Sequence, residues 1–222
     1  MILLALSTSG RAASAALFKD GAPLAEATRD EGLTHSETIM PLTAELLEQN
    51  GLTPADVNVF AADVGPGSFT GVRIGVCAIN AMAAALGAPV VAVSSLAALR
   101  EGLSEKSSPV CALLDARNGN AYAALFAGTE CLMQPAAVTV TALLPTLPQG
   151  TLFVGDGAEA YRAAIEATVP GARFAAPERN LLTALPVAQA AWERFNAGDT
   201  VPEAIPLYLR PTQAERLYKE KK

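Results

Sequence analysis

Residues 57–93 read VNVFAADVGPGSFTGVRIGVCAINAMAAALGAPVVAV, and this stretch decides the fold. The mostly apolar run Val57–Val64 predicts a buried strand, and the glycine-rich loop Gly65–Phe69 leads from it into a helix. That alanine-rich helix is predicted over Thr70–Leu86, and a glycine and a proline end it before a second buried strand, Val90–Val93. The stretch is therefore a strand–helix–strand unit, as expected of an α/β protein.

Three predicted strands precede this stretch. They are Ile2–Leu6, Ala13–Phe18 and Leu24–Thr28, and short turns join them into an antiparallel meander. A serine at 94 or 95 starts a short helix that ends near Gly102. With a further helix between the third and fourth strands, the first hundred residues have the order βββαβαβα. This order resembles an RNase-H-like unit, which is half of an actin-like fold.

The helix between the third and fourth strands is predicted over 34–50. Thr34 and Glu37 have the spacing of a capping box, and Pro41 is expected to kink the first turn or to delay the start of the regular helix. Apolar residues recur at helical spacing and form one stripe. The stripe consists of Ile39, Leu42, Leu46 and Leu47.

The second half repeats the pattern in a shorter form after a polar linker at 101–108. A hairpin turn at Asn118-Gly119 joins the first two of its strands. The predicted elements are strands at Val110–Asp115, Ala121–Ala127 and Leu152–Val154, and helices at Thr141–Leu147, Ala158–Thr168 and Pro186–Asn196. We therefore expect an α/β protein of two RNase-H-like units, at 1–103 and 108–200, with the second reduced and an extended tail at 201–222.

Composition limits the classes of function. The chain has 222 residues, a net charge of −6 and a pI of about 4.9, which is unlike a protein that binds nucleic acid through a basic face. The three cysteines have no pairing or metal-binding spacing, which is typical of a reducing cytosol. Residues 74–93 carry no charge, but alanine and glycine dominate them, so we expect a buried helix and a cytoplasmic protein without a membrane span.

The loop and helix start at Gly65–Gly75 allow two interpretations. The glycines and the free amides at the start of the helix could hold an anion such as a phosphate. Alternatively, small residues make one face of the helix smooth enough for close packing. The residues that bear on the two interpretations are Gly65, Gly67, Ser68, Thr70, Gly71, Gly75, Ala78, Ala81 and Ala85. The run is not a Walker A loop, because no Gly-Lys-Ser/Thr follows.

Charged residues also end two predicted strands of the second half. Asp115 and Arg117 flank the end of one strand, and Asp156 lies between two glycines after another. Carboxylates at strand ends are suitable for a site. The alternative is that Asp115 and Arg117 pair with each other or satisfy the amides of the turn.

Four motifs, in order along the chain, resemble the TsaB (YeaZ) family. The first is Gly65–Gly75, which includes Arg73. The second is Val110–Tyr122, which includes Asp115, Arg117 and Tyr122. The others are Val154–Gly157, with Asp156, and Pro206–Arg210, with Tyr208. The resemblance covers nearly the whole chain.

The resemblance implies a non-catalytic subunit of the machinery that makes threonylcarbamoyladenosine next to the anticodon of ANN-decoding tRNAs. It implies a TsaD-type catalytic subunit and a TsaE-type ATPase as partners, and self-pairing in the absence of TsaD. Because the chain is acidic, we expect it to contact tRNA indirectly if at all. No tightly bound cofactor is expected, although ATP or ADP could bind at the partner interface.

In the family, the contact with TsaD is a four-helix bundle, which corresponds here to helices 36–50 and 70–86. The residues carried over to this contact are Ile39, Leu42, Leu46 and Leu47 on the first helix and Gly71, Gly75, Ala78, Ala81, Met82 and Ala85 on the second. On this basis, Gly75→Leu is expected to block the contact with TsaD while the fold is kept.

The residues that would support catalysis are missing from the pattern. Members of the superfold that split ATP place an aspartate at the end of the first strand, where this chain has Ser7, followed by Thr8 and Ser9. A serine does not supply the carboxylate that Mg²⁺ prefers, although the turn could hold a phosphate. His35 is the single histidine, which is too few for an ordinary zinc site. An ATP-dependent small-molecule kinase remains the alternative function, and a metallopeptidase is disfavoured.

Overall fold

The computed structural model describes residues 1–30, 34–105, 107–128 and 130–210. Five strands form the first sheet, in the order β3-β2-β1-β4-β5. They are β1 (Ile2–Ser7), β2 (Ala13–Lys19), β3 (Ala22–Arg29), β4 (Val59–Asp63) and β5 (Val90–Val93). β1 pairs antiparallel with β2 and parallel with β4, so the predicted meander and the strand–helix–strand unit share β1 as their centre.

The second sheet repeats this connectivity in the order β8-β7-β6-β9-β10. Its strands are β6 (Val110–Asp115), β7 (Asn120–Ala127), β8 (Glu130–Thr139), β9 (Leu152–Val154) and β10 (Arg173–Phe174). The last two strands have three and two residues, which confirms that the second unit is a reduced copy.

Helices form three layers around the two sheets. They are α1 (His35–Gln49), α2 (Phe69–Leu86), α3 (Ser95–Glu101), α4 (Val140–Leu143), α5 (Asp156–Ala160), α6 (Arg162–Thr168) and α7 (Ala184–Asn196). α1 and α2 cover the outer face of the first sheet, and α4 to α6 cover that of the second. α3 and α7 lie between the sheets, where α7 packs on the first sheet and α3 on the second.

Successive side chains of a strand point to opposite faces of the sheet, and apolar side chains on both faces produce these layers. Leu3 and Ala5 of β1 face the central helices, whereas Leu4 and Leu6 face α1 and α2. Every residue of β1 is buried, because both faces of the sheet are covered. Within the described part of the chain, α2 is the one helix whose length and apolar character would suit a membrane span, and its buried side packs on the first sheet.

Several local predictions differ from the structure: β10 was not predicted, and the helix predicted at Thr141–Leu147 is α4 followed by a 3-10 turn at Leu144–Thr146. β8 was not predicted, because Pro135 interrupts its pattern, and an edge strand tolerates a proline that a central strand would not. The helix predicted at 158–168 begins at Asp156 and is divided at Tyr161 into α5 and α6. The capping box of α1 does not form, because the Glu37 amide donates to the Thr34 carbonyl oxygen (3.0 Å) and not to Thr34 Oγ1, which itself donates to the Glu37 carboxylate (2.7 Å). The helix nevertheless begins at His35 and continues through Pro41.

The first sheet also caps the N-terminus of α7. The Ala184 amide donates to Ser14 Oγ (3.0 Å), and the Leu185 amide donates to the Glu26 carboxylate (2.8 Å). The helix therefore starts at a point fixed by β2 and β3, although it follows the second sheet in the sequence.

We expect Ser14→Ala to lower the free energy of unfolding by about 1–3 kcal/mol, because removal of the fully buried Ser14 hydroxyl leaves the Ala184 amide without its acceptor. Urea unfolding measures the change. Ser36→Ala is the matched control, since Ser36 is exposed on α1 and should change stability by less than about 0.5 kcal/mol. Equal effects of the two substitutions would contradict the capping role of Ser14.

Candidate functional site

A cleft of about 390 Å³ lies between the two units. The turn after β1 and the loop after β4 form one wall, and the turn after β6 and the start of α5 form the other. Each sheet thus contributes its equivalent strand ends to the same space. The predicted residues that line it are Ser9, Gly67, Ser68, Asp115, Arg117, Tyr122 and Asp156.

A buried carboxylate, Asp63, stands behind the first wall. It accepts hydrogen bonds from Ser7 Oγ (2.8 Å), Ser95 Oγ (2.6 Å), Ser9 Oγ and the Gly65 amide (3.0 Å). Burial raises the pKa of Asp63, and these hydrogen bonds oppose that shift. The sequence signal for this cluster is a charged residue that ends an otherwise apolar strand, two positions before the glycine loop.

The glycine loop packs tightly against the turn after β1. A Cβ on Gly67 would lie 2.4 Å from the Ser9 carbonyl oxygen, which in turn accepts from the Ser68 amide (2.7 Å). Ser68 Oγ accepts from the Gly71 amide (3.2 Å), as the cap of α2. The glycines therefore serve close packing, and two amides at the helix start already have acceptors within the chain.

The residues predicted for a phosphate loop do not all reach the cleft. Ser7, Thr8 and Gly65 are buried behind the wall, and Thr70 is exposed on α2 outside the cleft lining. Thr8 instead donates from Oγ1 to the Gly71 carbonyl oxygen (2.7 Å). The cleft surface of this loop consists of Ser9, Gly67 and Ser68.

The placement of Gly71 and Gly75 on a partner surface is wrong. Both are buried against Thr8, and a Cβ would lie 2.0 Å from its carbonyl oxygen at Gly71 and 2.5 Å from its Oγ1 at Gly75. Gly75→Leu would therefore disturb the fold itself, contrary to the expectation from the sequence. A leucine at this position has no space unless α2 moves away from β1.

The apolar stripe of α1 is also part of the core. Its four residues are at most 2% exposed and pack on the outer face of the first sheet, which excludes them from a surface contact. They are Ile39, Leu42, Leu46 and Leu47. On α2, Ala78 and Met82 are half-buried, and Ala81 and Ala85 are exposed.

α1 and α2 present a different set of side chains to solvent. On α1 these include Met40, which is 45% exposed, and Ala44. On α2 they include Cys77, Ala81 and Ala85. We call these five residues the helix face. They are small or apolar, so they would allow other helices to approach closely.

The second wall contains a hydrogen-bonded pair of aspartates. Asp156 Oδ1 accepts from the Asp115 amide (2.9 Å), while Asp115 Oδ1 accepts from the Arg117 amide (2.8 Å) and the Tyr161 hydroxyl (2.6 Å). Asp115 thus satisfies a turn amide, as one interpretation expected, but it also lines the cleft with Arg117 and Asp156, so its role in a site stays a prediction. Tyr161 was not predicted, because it lies in another element 46 residues away.

The environment of this wall raises the pKa of two side chains, Asp156 and Tyr161. Burial raises the pKa of Asp156, and the nearby charge of Asp115 raises it further. Burial, together with the hydrogen bond to Asp115, raises the pKa of Tyr161 to about 12, so its hydroxyl keeps its proton as the donor.

The fourth motif reaches the same region. Tyr208 stacks on Phe69 and accepts a hydrogen bond from Arg73, and Arg210 donates to the Ala116 carbonyl oxygen in the second wall. The four motifs therefore meet around one cleft, although they are spread from residue 65 to residue 210. His35, outside the cleft lining, donates from Nε2 to the Gly10 carbonyl oxygen (3.1 Å).

Sequence comparisons find a family and relatives whose descriptions name the threonylcarbamoyl modification of tRNA adenosine. The sequence model of the family described as TsaD, tRNA N6-adenosine threonylcarbamoyltransferase, matches residues 30–215. The "tRNA threonylcarbamoyladenosine biosynthesis protein TsaB" of Haemophilus influenzae is 30% identical over 228 residues, covering 95% of this chain and 94% of that protein. The Escherichia coli protein of the same description is 36% identical over 126 residues, covering 55% of this chain and about half (53%) of its own length.

A solved structure extends this likeness to three dimensions. YeaZ from Pseudomonas aeruginosa superimposes with a TM-score of 0.80 at 28% identity, over 94% of this chain and 99% of that one. Together with the repeated strand order, this confirms the predicted actin-like fold of two RNase-H-like units.

Proposed function

The chain belongs to the TsaB (YeaZ) family of tRNA threonylcarbamoyladenosine biosynthesis proteins, and we propose that it is a non-catalytic subunit that binds and supports a TsaD-type catalytic subunit. A TsaE-type ATPase is the other proposed partner. In this role the chain acts in the cytoplasm and contacts tRNA only through its partners, in line with its net charge of −6.

The helix face carries this proposal. Its five side chains are exposed and belong to two helices that pack next to each other on the same side of the first sheet. Two helices of a partner can pack against such a surface in a four-helix arrangement, because small side chains permit short distances between helix axes. In the absence of a partner, a second copy can use the same face.

The state of the carboxylates supports a non-catalytic role. Asp63 is fully buried and accepts four hydrogen bonds from its own chain, and Ser7 occupies the end of β1. Asp115 accepts hydrogen bonds from a turn amide and from Tyr161. The buried Asp63 carboxylate, which accepts its four hydrogen bonds behind the wall of the cleft, is poorly placed to hold the metal that accompanies ATP.

The cleft itself favours a second candidate, an ATP-dependent small-molecule kinase. Its volume of about 390 Å³ and its position between the units suit a nucleotide, either ATP or ADP. Substantial ATP turnover by the isolated chain, lost in Ser68→Ala, would favour this candidate over the accessory role.

Nucleoside mass spectrometry of tRNA tests the function directly. Depletion of the protein from its cells is expected to remove threonylcarbamoyladenosine, and re-expression is expected to restore it. Unchanged levels after full depletion would overturn the proposed function and bring the kinase forward.

We expect Ala81→Glu to weaken binding to the TsaD-type subunit about 10- to 100-fold, because a long charged side chain replaces a methyl group in a close contact. Titration calorimetry with the purified subunit measures the affinity. Ala164→Glu on α6 is the matched control, since it places the same change on an exposed helix of the second unit and should leave affinity unchanged. Wild-type affinity of Ala81→Glu would contradict the helix face.

A further inference from the structure

The segment 201–210, which we call the C-terminal strap, runs from the end of the α7 region back over the first unit. The Val201 amide donates to the Val90 carbonyl oxygen at the edge of β5 (2.8 Å). Asn80 of α2 then holds Ala204 on both sides, since its Nδ2 donates to the Ala204 carbonyl oxygen (2.9 Å) and its Oδ1 accepts from the Ala204 amide (2.9 Å). Ala204 is buried as a result.

The strap is next fixed to the start of α2. The Leu207 amide donates to the Val64 carbonyl oxygen (2.7 Å), and the Tyr208 ring stacks on Phe69 with 4.5 Å between ring centroids. Arg73 Nε donates to the Tyr208 hydroxyl (2.7 Å), and the same guanidinium lies 4.0 Å above the Phe69 ring. Cation–π and stacking contacts together hold this part of the strap on α2.

The far end of the strap crosses to the second unit. Arg210 Nη1 donates to the Ala116 carbonyl oxygen (3.1 Å), in the turn between β6 and β7 that forms the opposite wall of the cleft. That turn is closed by a hydrogen bond from the Ala116 amide to the Asn120 carbonyl oxygen (2.9 Å). One continuous segment therefore joins α2 to a wall of the cleft that α2 does not form.

We propose that the C-terminal strap couples the exposed side of α2 to the β6–β7 turn, so that loosening the strap on α2 increases the mobility of the opposite wall of the cleft. Arg210 reaches Ala116 because the anchors at Asn80 and Tyr208 keep its guanidinium nearby. Releasing an anchor lowers the effective concentration of that guanidinium at the turn.

The coupling is reciprocal by thermodynamic necessity. If an intact strap stabilises the closed turn, a stabilised turn favours the ordered strap to the same extent. A molecule that binds α2 beside Arg73 and Asn80 with different affinity for the strap-bound and strap-released states would thus alter the cleft. The coupling is a property of this chain alone and does not depend on which partner occupies the helix face.

Hydrogen–deuterium exchange of the full chain tests the coupling in two variants. Arg210→Ala removes the contact with the turn, and the double variant Asn80→Ala/Tyr208→Ala removes both side-chain anchors of the strap on α2. Both are expected to speed exchange of the amides at 116–120 about three- to tenfold, the effect of losing one exposed hydrogen bond.

Arg179→Ala is the matched control, because Arg179 Nη1 also donates to a backbone carbonyl oxygen, that of Gly102 (3.2 Å), away from the strap. It should leave exchange at 116–120 unchanged. The coupling is overturned if Asn80→Ala/Tyr208→Ala speeds exchange only within the strap and α2. It is also overturned if exchange rises uniformly through both sheets, since that would indicate general destabilisation.

Discussion

Asp63→Ala is expected to lower the free energy of unfolding by at least about 4 kcal/mol, because four donors lose their buried acceptor at once and each costs about 1–3 kcal/mol. The hydroxyls of Ser7, Ser9 and Ser95 and the Gly65 amide would face the cavity that the Asp63 carboxylate leaves. Chemical denaturation followed by circular dichroism measures the change. A loss below about 1 kcal/mol would mean that the cluster contributes little to stability.

Asp63→Asn is the matched variant, because it keeps the shape and one acceptor oxygen but has no charge. Burial raises the pKa of Asp63 above its ordinary value of 3.8, so the folded chain binds the proton more tightly than the unfolded chain. The stability that this proton contributes is present below pH 3.8 and is lost as the pH rises through the folded-state pKa.

The wild type should therefore lose stability relative to Asp63→Asn between pH 4 and pH 7. Unfolding curves of the two proteins at both pH values isolate the contribution of this group, since all other groups are shared. Parallel pH dependences would contradict a raised pKa for Asp63.

Gly71→Ala is expected to destabilise the fold by about 3 kcal/mol or more, because its Cβ would lie 2.0 Å from the carbonyl oxygen of Thr8. Relief of that overlap requires α2 to move away from β1, and the movement would also stretch the hydrogen bond from Thr8 Oγ1 to the Gly71 carbonyl oxygen. Thermal and urea unfolding of the purified variant measure the loss.

Gly10→Ala is the matched control in the same region. The nearest atom to its added Cβ is Leu182 Cβ at 3.8 Å, an ordinary contact, so stability should stay within about 0.5 kcal/mol of the wild type. Similar stabilities for Gly71→Ala and Gly10→Ala would mean that α2 has room that the structure does not show.

Local patterns predicted the elements of the first unit closely. Val90–Val93 agrees with β5 at both ends, and the helix at 70–86 differs from α2 by one residue. These elements have clear caps and apolar runs, and their hydrogen bonds are set by neighbours in the sequence. The sequence of β8 has no such pattern. Pro135 lies in a strand because β8 pairs with β7, and not because polar and apolar residues alternate around it. The unit boundaries at 103, 108 and 200 stay a prediction. Residues 211–222 of the predicted tail lie outside the described residues.

The candidate site was predicted in part. The motifs identified the segments that meet at the cleft, but not the buried cluster around Asp63, because the register of β1 against β4 brings Ser7 beside Asp63. The surface for a partner was predicted in part on the wrong side of α1 and α2, the side that packs on the first sheet. An apolar stripe at helical spacing indicates the side that packs on the sheet, so a partner surface has to be sought among the residues outside that stripe.

The position of α7 has a consequence for synthesis on the ribosome. β1 leaves the ribosome early, yet the helix that covers its inner face begins at Ala184. Until α7 emerges, Leu3, Ala5 and Val91 lack the helix that packs most extensively on their face of the sheet, and the nascent first sheet exposes an apolar surface. Chains arrested before residue 184 should therefore be cut readily by protease within the first sheet. The earliest part of the protein to be made is among the last to become stable.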